Sequence, residues 1–161
     1  MDFLRTALDC FVLTAIIQWE CMDTVHMRES AQIKSVLIEV IKPQQVRYRT
    51  NGDWFFRAPG ELQIQIADTG NWIFNMLVAI HELVEVFLCA AQGVTQKQVD
   101  RFDFSHQDDD DPGEHPRAPY HLQHMLAMSV EIALAVALKV KWRPYSEQLT
   151  RTWAKTPKKV K

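Results

Sequence analysis

Residues 76–91 read MLVAIHELVEVFLCAA, and every side chain in this run is apolar or small except His81, Glu82 and Glu85. Taking an ionised carboxylate out of water without a partner costs several kcal/mol. A buried helix of this composition therefore requires a compensating positive charge. Residues i and i+4 share one face of a helix, so His81 and Glu85 project side by side and can bind one cation. Glu82 stands about 100° further round the helix, beside the site and free to move protons. These residue types at this spacing point to a divalent metal held by His81 and Glu85.

The remaining ligands are expected from a second apolar stretch. There His121, His124, Met128 and Glu131 fall within an arc of about 80° at helical spacing. His124 is the first choice as third ligand and His121, from the first turn, the second. Glu131 is either a fourth ligand or an acceptor that fixes an imidazole tautomer from behind the metal. Three protein ligands and one open position make the catalytic form of a zinc site. A water there, acidified toward neutrality and deprotonated by Glu82, would be the nucleophile. Mixed nitrogen and oxygen donors suit zinc and also admit Mn²⁺ or Fe²⁺. The same residues allow a metal-free alternative, a buried network in which His81 and Glu85 hydrogen-bond to His124 and Tyr120.

Other polar residues carry weaker signals. Asp100 and Asp103 are placed to cap a turn or to hold a histidine from behind. Asp108 to Asp111 lack the alternating ligand spacing and closing Glu of a calcium loop and read as a solvated acidic segment. His106 and His115 flank that segment and could close over a site. Trp54, Phe55 and Phe56 read as core and edge packing rather than a base-stacking platform.

The elements that must position these residues follow from periodicity. Ile33 to Lys42 alternates as a strand, Pro43 stops it, and Val46 to Thr50 begins a second extended segment. Asn51-Gly52 is a turn signal. Asp53 to Arg57 and Glu61 to Ala67 form the arms of a hairpin around Ala58-Pro59-Gly60. Leu62, Ile64 and Ile66 point one way and Gln63 and Gln65 the other, as in a half-buried antiparallel strand. The metal-binding helix spans Trp72 to Gln92, with its N-cap among Asp68 to Asn71 and Gly93 at its C-terminal stop. A short helix capped by Thr95 covers Thr95 to Asp100, and Ser105 to Pro119 is a polar loop. A second long helix runs from Tyr120 to Lys141 and a third, short one from Tyr145 to Trp153. Strands first and helices after argue an α+β fold: a small antiparallel sheet or hairpin followed by two long packed helices.

The whole chain sets wider bounds. Its 161 residues suit one domain with a real core, read as residues 27–161 preceded by an extension over residues 1–26. Phe3 to Trp19 is apolar but contains Arg5 and Asp9, which favours an amphipathic helix or a non-native leader over a membrane span. The formal net charge of −2 gives no nucleic-acid footprint, and the basic tail at Lys155, Lys158, Lys159 and Lys161 reads as solubilising. Three cysteines, Cys10, Cys21 and Cys89, leave one unpaired. They suggest buried thiols in a reducing, cytoplasmic compartment. Nothing in the sequence fixes the oligomeric state.

Two resemblances add to this reading. The order of sheet, HExxE helix (His81-Glu82-Leu83-Val84-Glu85) and second helix, over Ile33 to Lys141, resembles a minimal zincin core. That resemblance implies His81 as ligand, Glu82 as base, and Glu85 in place of the second histidine ligand. The segments Tyr48 to Trp54 (YRT-x-GDW), Ala79 to Glu85 (AIHELVE), Val99 to Asp103, Pro112 to Tyr120 and His124 to Glu131 also resemble a group of short uncharacterised bacteriophage and environmental proteins. In that group the text begins near Met27, and a phage-infected bacterial host is implied.

The leading expectation is a divalent-metal-dependent, hydrolase-like enzyme acting on a small-molecule, peptide or modified-nucleotide substrate, with no membrane partner. One rival is a non-enzymatic phage accessory protein with a structural metal or none. A lyase or decarboxylase using the same Lewis acid is another. An NTP pyrophosphohydrolase with Glu82, Glu85 and Glu131 around Mg²⁺ is a third.

Overall fold

The structure is a computed structural model in which residues 32–158 are described. The expectations for residues 1–26, for Cys10 and Cys21 and for Lys159 and Lys161 lie outside those residues. The described chain is α+β. Three strands, β1 (Ser35–Ile41), β2 (Gly52–Ala58) and β3 (Glu61–Ala67), precede four α-helices. These are α1 (Trp72–Gln92), α2 (Gln96–Ser105), α3 (His121–Ala137) and α4 (Trp142–Trp153).

The sheet corrects one expectation. Its strand order is β1-β3-β2, with β2 antiparallel to β3 and β1 parallel to it, so it is mixed. The tight β2–β3 hairpin, turned by Gly60 at φ 83°, takes one edge of β3 and leaves only the other for β1. Alternation along a strand marks its faces but is blind to the direction of its neighbour. β3 is the central strand, and Leu62, Ile64 and Ile66 on its inner face are fully buried.

Val46 to Thr50 is not a strand but an irregular segment following a 3₁₀ turn at Pro43–Gln45. Side chains pin it in place of a ladder. Arg47 forks onto Asp53 (2.6 and 2.8 Å) and reaches Asp100 on α2 (2.9 Å), and Val46 and Tyr48 are buried.

Local chemistry sets the helix ends. Asn71 caps α1 by accepting from Ile73 N, and Gly93 ends it in the left-handed region at φ 77°. Thr95 caps α2 in a reciprocal box with Gln98, and that helix continues to Ser105 because Val99 and Asp103 are buried beneath it. α3 stops at Ala137, short of Lys141, where Lys139 takes φ 58°. α4 starts earlier than expected, at Trp142. Its Pro144 lies in the first turn, where a missing N–H costs nothing.

α1 is 21 residues long and apolar enough, by length and composition, to cross a membrane. In this fold it is the central helix, packed on α3 on one side and on β2 and β3 on the other. The core gathers Trp54, Leu62, Ile64, Ile66, Leu77, Val86, Cys89 and Tyr145. Cys89 is a free, fully buried thiol and packs as a small hydrophobe.

Asp53 is buried and held by Arg47 alone among the basic side chains described. Removing the guanidinium strands a buried carboxylate. Arg47→Met should therefore lower unfolding stability by on the order of 3 kcal/mol, read from the urea midpoint at unchanged slope. Arg47→Met combined with Asp53→Asn should recover part of that loss.

Candidate metal centre

α1 and α3 pack with their polar residues facing each other. The buried face of α1 carries Val78, His81, Glu85 and Cys89, and that of α3 carries His124, Ala127, Glu131 and Ala135. Each set follows the three- and four-residue steps of one helical face. Helix packing thus brings His81, Glu85 and His124 together, with a ligand atom from each within 4.8 Å of the others.

Three atoms converge. His124 Nδ1 lies 2.9 Å from Glu85 Oε2 and 3.1 Å from His81 Nε2. His81 Nε2 lies 3.7 Å from Glu85 Oε2. Ligands about 2.0–2.1 Å from a tetrahedral cation stand about 3.3 Å from one another, so these spacings bracket what such a cation needs. The two imidazoles present different nitrogens, Nε2 from His81 and Nδ1 from His124.

The opposite nitrogens are also engaged. His81 Nδ1 lies 2.7 Å from Glu131 Oε2, and the hydroxyl of Tyr145 on α4 donates to the other oxygen of Glu131. Glu131 thus stands behind the His81 ring, the place of an acceptor that would hold a proton on Nδ1 and turn Nε2 to the centre when a cation is bound. His124 Nε2 has Asp111 Oδ2 at 3.2 Å, a contact of charge whose angle falls short of a hydrogen bond. Glu85 is fixed by Trp54 of β2, whose Nε1–H donates to Oε1 at 2.9 Å and leaves Oε2 to the centre.

Two glycines let backbone approach this cluster. A Cβ on Gly113 would fall 2.4 Å from the His124 ring, and one on Gly52 would fall 2.3 Å from Glu82 Oε1. Glu82 is half-buried against Gly52 and has no hydrogen-bond partner among the described residues. With His81, Glu85 and His124 it lines a cavity of about 120 Å³.

Several expected members have other partners. His121 is turned away, with Nδ1 2.9 Å from the carbonyl oxygen of Gly113, so it anchors the preceding loop and is not a ligand. Asp103 does not hold a histidine. It accepts from Tyr48 (2.9 Å) and from Tyr120, which therefore is not bonded to His81 or Glu85. Asp100 pairs with Arg47. His106 stacks on Phe102 with His115 beside it, and neither lines the cavity. Trp54, Tyr145 and Asp111 were not legible as members of the site. They come from a strand, a distant helix and a loop, and no periodicity links them to α1.

The electrostatics follow from burial among carboxylates. Burial alone would lower both imidazoles. Hydrogen bonds to Glu131 and Glu85 outweigh it at His81, raising it to about 11. Contacts with Asp111 and Glu85 do the same at His124, raising it to about 10. Burial pushes Glu85 up, but the two histidines overcome this and hold it at about 2. Glu82 is raised well above the carboxylate range by burial and by the charge of Glu85, with the histidines opposing. Burial raises Asp103 to about 7 against its tyrosine hydrogen bonds.

Comparison with protein-family models, with curated proteins and with solved structures gave no match to this chain.

The imidazoles sit above their ordinary value of 6.5 when folded. Their protonation therefore stabilises the fold fully below that value, and the contribution is lost as pH rises through about 10. Thermal melts of chelator-treated protein should fall steadily across that window, and His124→Gln should flatten the decline. A melting temperature independent of pH there would contradict this assignment.

Proposed function

We propose that the chain is a divalent-metal-dependent enzyme of hydrolase type, with His81, Glu85 and His124 as ligands and Glu82 as general acid/base. The observation that carries this reading is the triangle of His81 Nε2, His124 Nδ1 and Glu85 Oε2, with edges of 2.9 to 3.7 Å. Each ligand also has its other polar atom near a partner, as metal-binding side chains do. The resemblance to a minimal zincin core points the same way. Two imidazoles and one carboxylate favour zinc, with Mn²⁺ or Fe²⁺ as the alternatives.

Bound there, a divalent cation supplies Lewis acidity to a water or a substrate oxygen. Glu82 faces the same cavity and would take the proton from an attacking water and deliver it to the leaving group. A carboxyl raised by burial holds protons closer to neutral pH than a solvated one, and a nearby cation brings its ionised form back within reach. The cavity, about 120 Å³, is well below the roughly 300–1,000 Å³ that encloses a drug-sized ligand. It fits the reacting end of a substrate, such as an amide or ester carbonyl, while the rest lies outside. The free buried thiol of Cys89 suits a cytoplasmic setting, and the resemblance to bacteriophage proteins would make that setting an infected bacterium.

Elemental analysis of protein purified without an affinity tag should find one transition metal per chain, and His81→Ala should lose it. Glu82→Gln should keep the metal and lose at least about 100-fold in turnover, measured on whichever of a panel of p-nitrophenyl esters and acyl-peptides the parent protein cleaves. No stoichiometric metal would sink the proposal. Loss of metal from Glu82→Gln would make Glu82 a ligand and its catalytic role wrong.

A further inference from the structure

The cavity has a second polar wall, built from residues 49–51 and α4, that the metal chemistry does not use. Three of its atoms, Arg49 Nε, Asn51 Oδ1 and Trp153 Nε1, are buried without a hydrogen-bond partner. Native structures leave few such atoms, and here three belong to residues that line one cavity. The guanidinium carbon of Arg49 lies 4.6 Å from the centroid of the Trp153 ring, a cation–π contact that holds the group in place. Among the described residues Arg49 has no ion-pair partner, and no other lysine or arginine lines the cavity. Seven carboxylates also line the cavity, Asp53 of β2 among them, and they outnumber the two imidazoles there. A diffuse positive field is therefore absent there, and any anion that enters must be held locally.

We infer that Arg49 and Trp153 form an oxyanion subsite that binds a carboxylate or phosphate group of the substrate beside the metal centre. A guanidinium edge and an indole N–H are donors with no acceptor capacity, so their complement is an acceptor, and a charged one beside Arg. The amide of Asn51, which donates or accepts by turning over, would bind a neighbouring polar group of the same molecule. The substrate class is thus narrowed to small anionic esters or amides, with the cleaved bond close to the charge. This inference rests on the metal-dependent reading for what happens at the reacting end, but the anion subsite needs no metal to bind.

The test follows the indole ¹⁵N–¹H resonance of Trp153, identified by its loss in Trp153→Phe, in the full chain. Inorganic phosphate and acetate are titrated separately into zinc-loaded and chelator-treated protein. One or both anions should move that resonance in both forms, and the stronger of the two names the substrate's charged group. Arg49→Met should weaken the binding by about tenfold or more, and Arg49→Lys by less, since lysine keeps the charge but loses the planar fork. Melting curves of each variant separate loss of the subsite from loss of the fold. If neither anion moves the resonance in the parent protein, the inference is overturned. Binding that survives Arg49→Met but disappears in His81→Ala would also overturn it, while leaving the metal reading intact. Arg49-dependent binding in a protein that holds no metal would uphold the subsite and defeat the metal reading alone.

Discussion

Glu85 and Glu131 are buried where α1 meets α3, and Glu82 is half-buried beside them. Neither helix contains a lysine or an arginine. With His121 turned to Gly113, positive charge from within the helix pair must come from His81 and His124, or from a cation the two imidazoles would help to hold. The protein satisfies this constraint by geometry. Each oxygen of Glu85 and Glu131 has a partner: one of each pair meets an imidazole, and the other meets Trp54 or Tyr145. Protonation of the rings balances part of the charge, and a divalent cation in the same place would balance more. Metal binding and imidazole protonation are thus competing solutions to one electrostatic problem.

The rest of the fold serves that interface. β2 delivers the Trp54 N–H to Glu85, α4 delivers the Tyr145 hydroxyl to Glu131, and the loop before α3 lays Gly113 against the His124 ring. Each contact restricts a rotamer that the helices alone would leave free. The parallel placement of β1 matters less to the site, since β1 contacts β3 and lies away from the cluster. The Arg47–Asp53–Asp100 ion pairs act at one remove: they tie residues 46–50, β2 and α2 together, and so fix the wall on which Arg49 and Asn51 stand.

What the sequence made legible was whatever repeats. His81, Glu82 and Glu85 were readable because one helix sets their spacing, and His124 and Glu131 because a second helix does. Thr95 and Gly93 were readable because caps are local chemistry. His121 shares a helix with His124 and still misses the site, because its first-turn position lets it bond the carbonyl oxygen of Gly113. Trp54, Tyr145 and Asp111 left no trace, since contacts between separate elements follow no period. The direction of β1 was equally hidden. Residues 46–50 read as the start of an extended segment, yet what holds them is the anchoring of Arg47 and Tyr48 to Asp53, Asp100 and Asp103.

The donor set also bears on which chemistry fits the site. A Mg²⁺ site for nucleotide triphosphates is built from oxygen ligands in near-octahedral order, with carboxylates free of imidazole contacts. Here Glu85 is in contact with both histidines and Glu131 is committed to His81 and Tyr145. Of Glu82, Glu85 and Glu131, Glu82 alone keeps both oxygens free of hydrogen bonds to the described residues. Converting the cluster to an all-oxygen site would require breaking the Trp54, Tyr145 and His124 contacts together, each in a buried setting where a lost hydrogen bond costs about 1–3 kcal/mol. A cation bound between α1 and α3 would therefore have to accept nitrogen ligands, with the uncommitted carboxylate of Glu82 beside it.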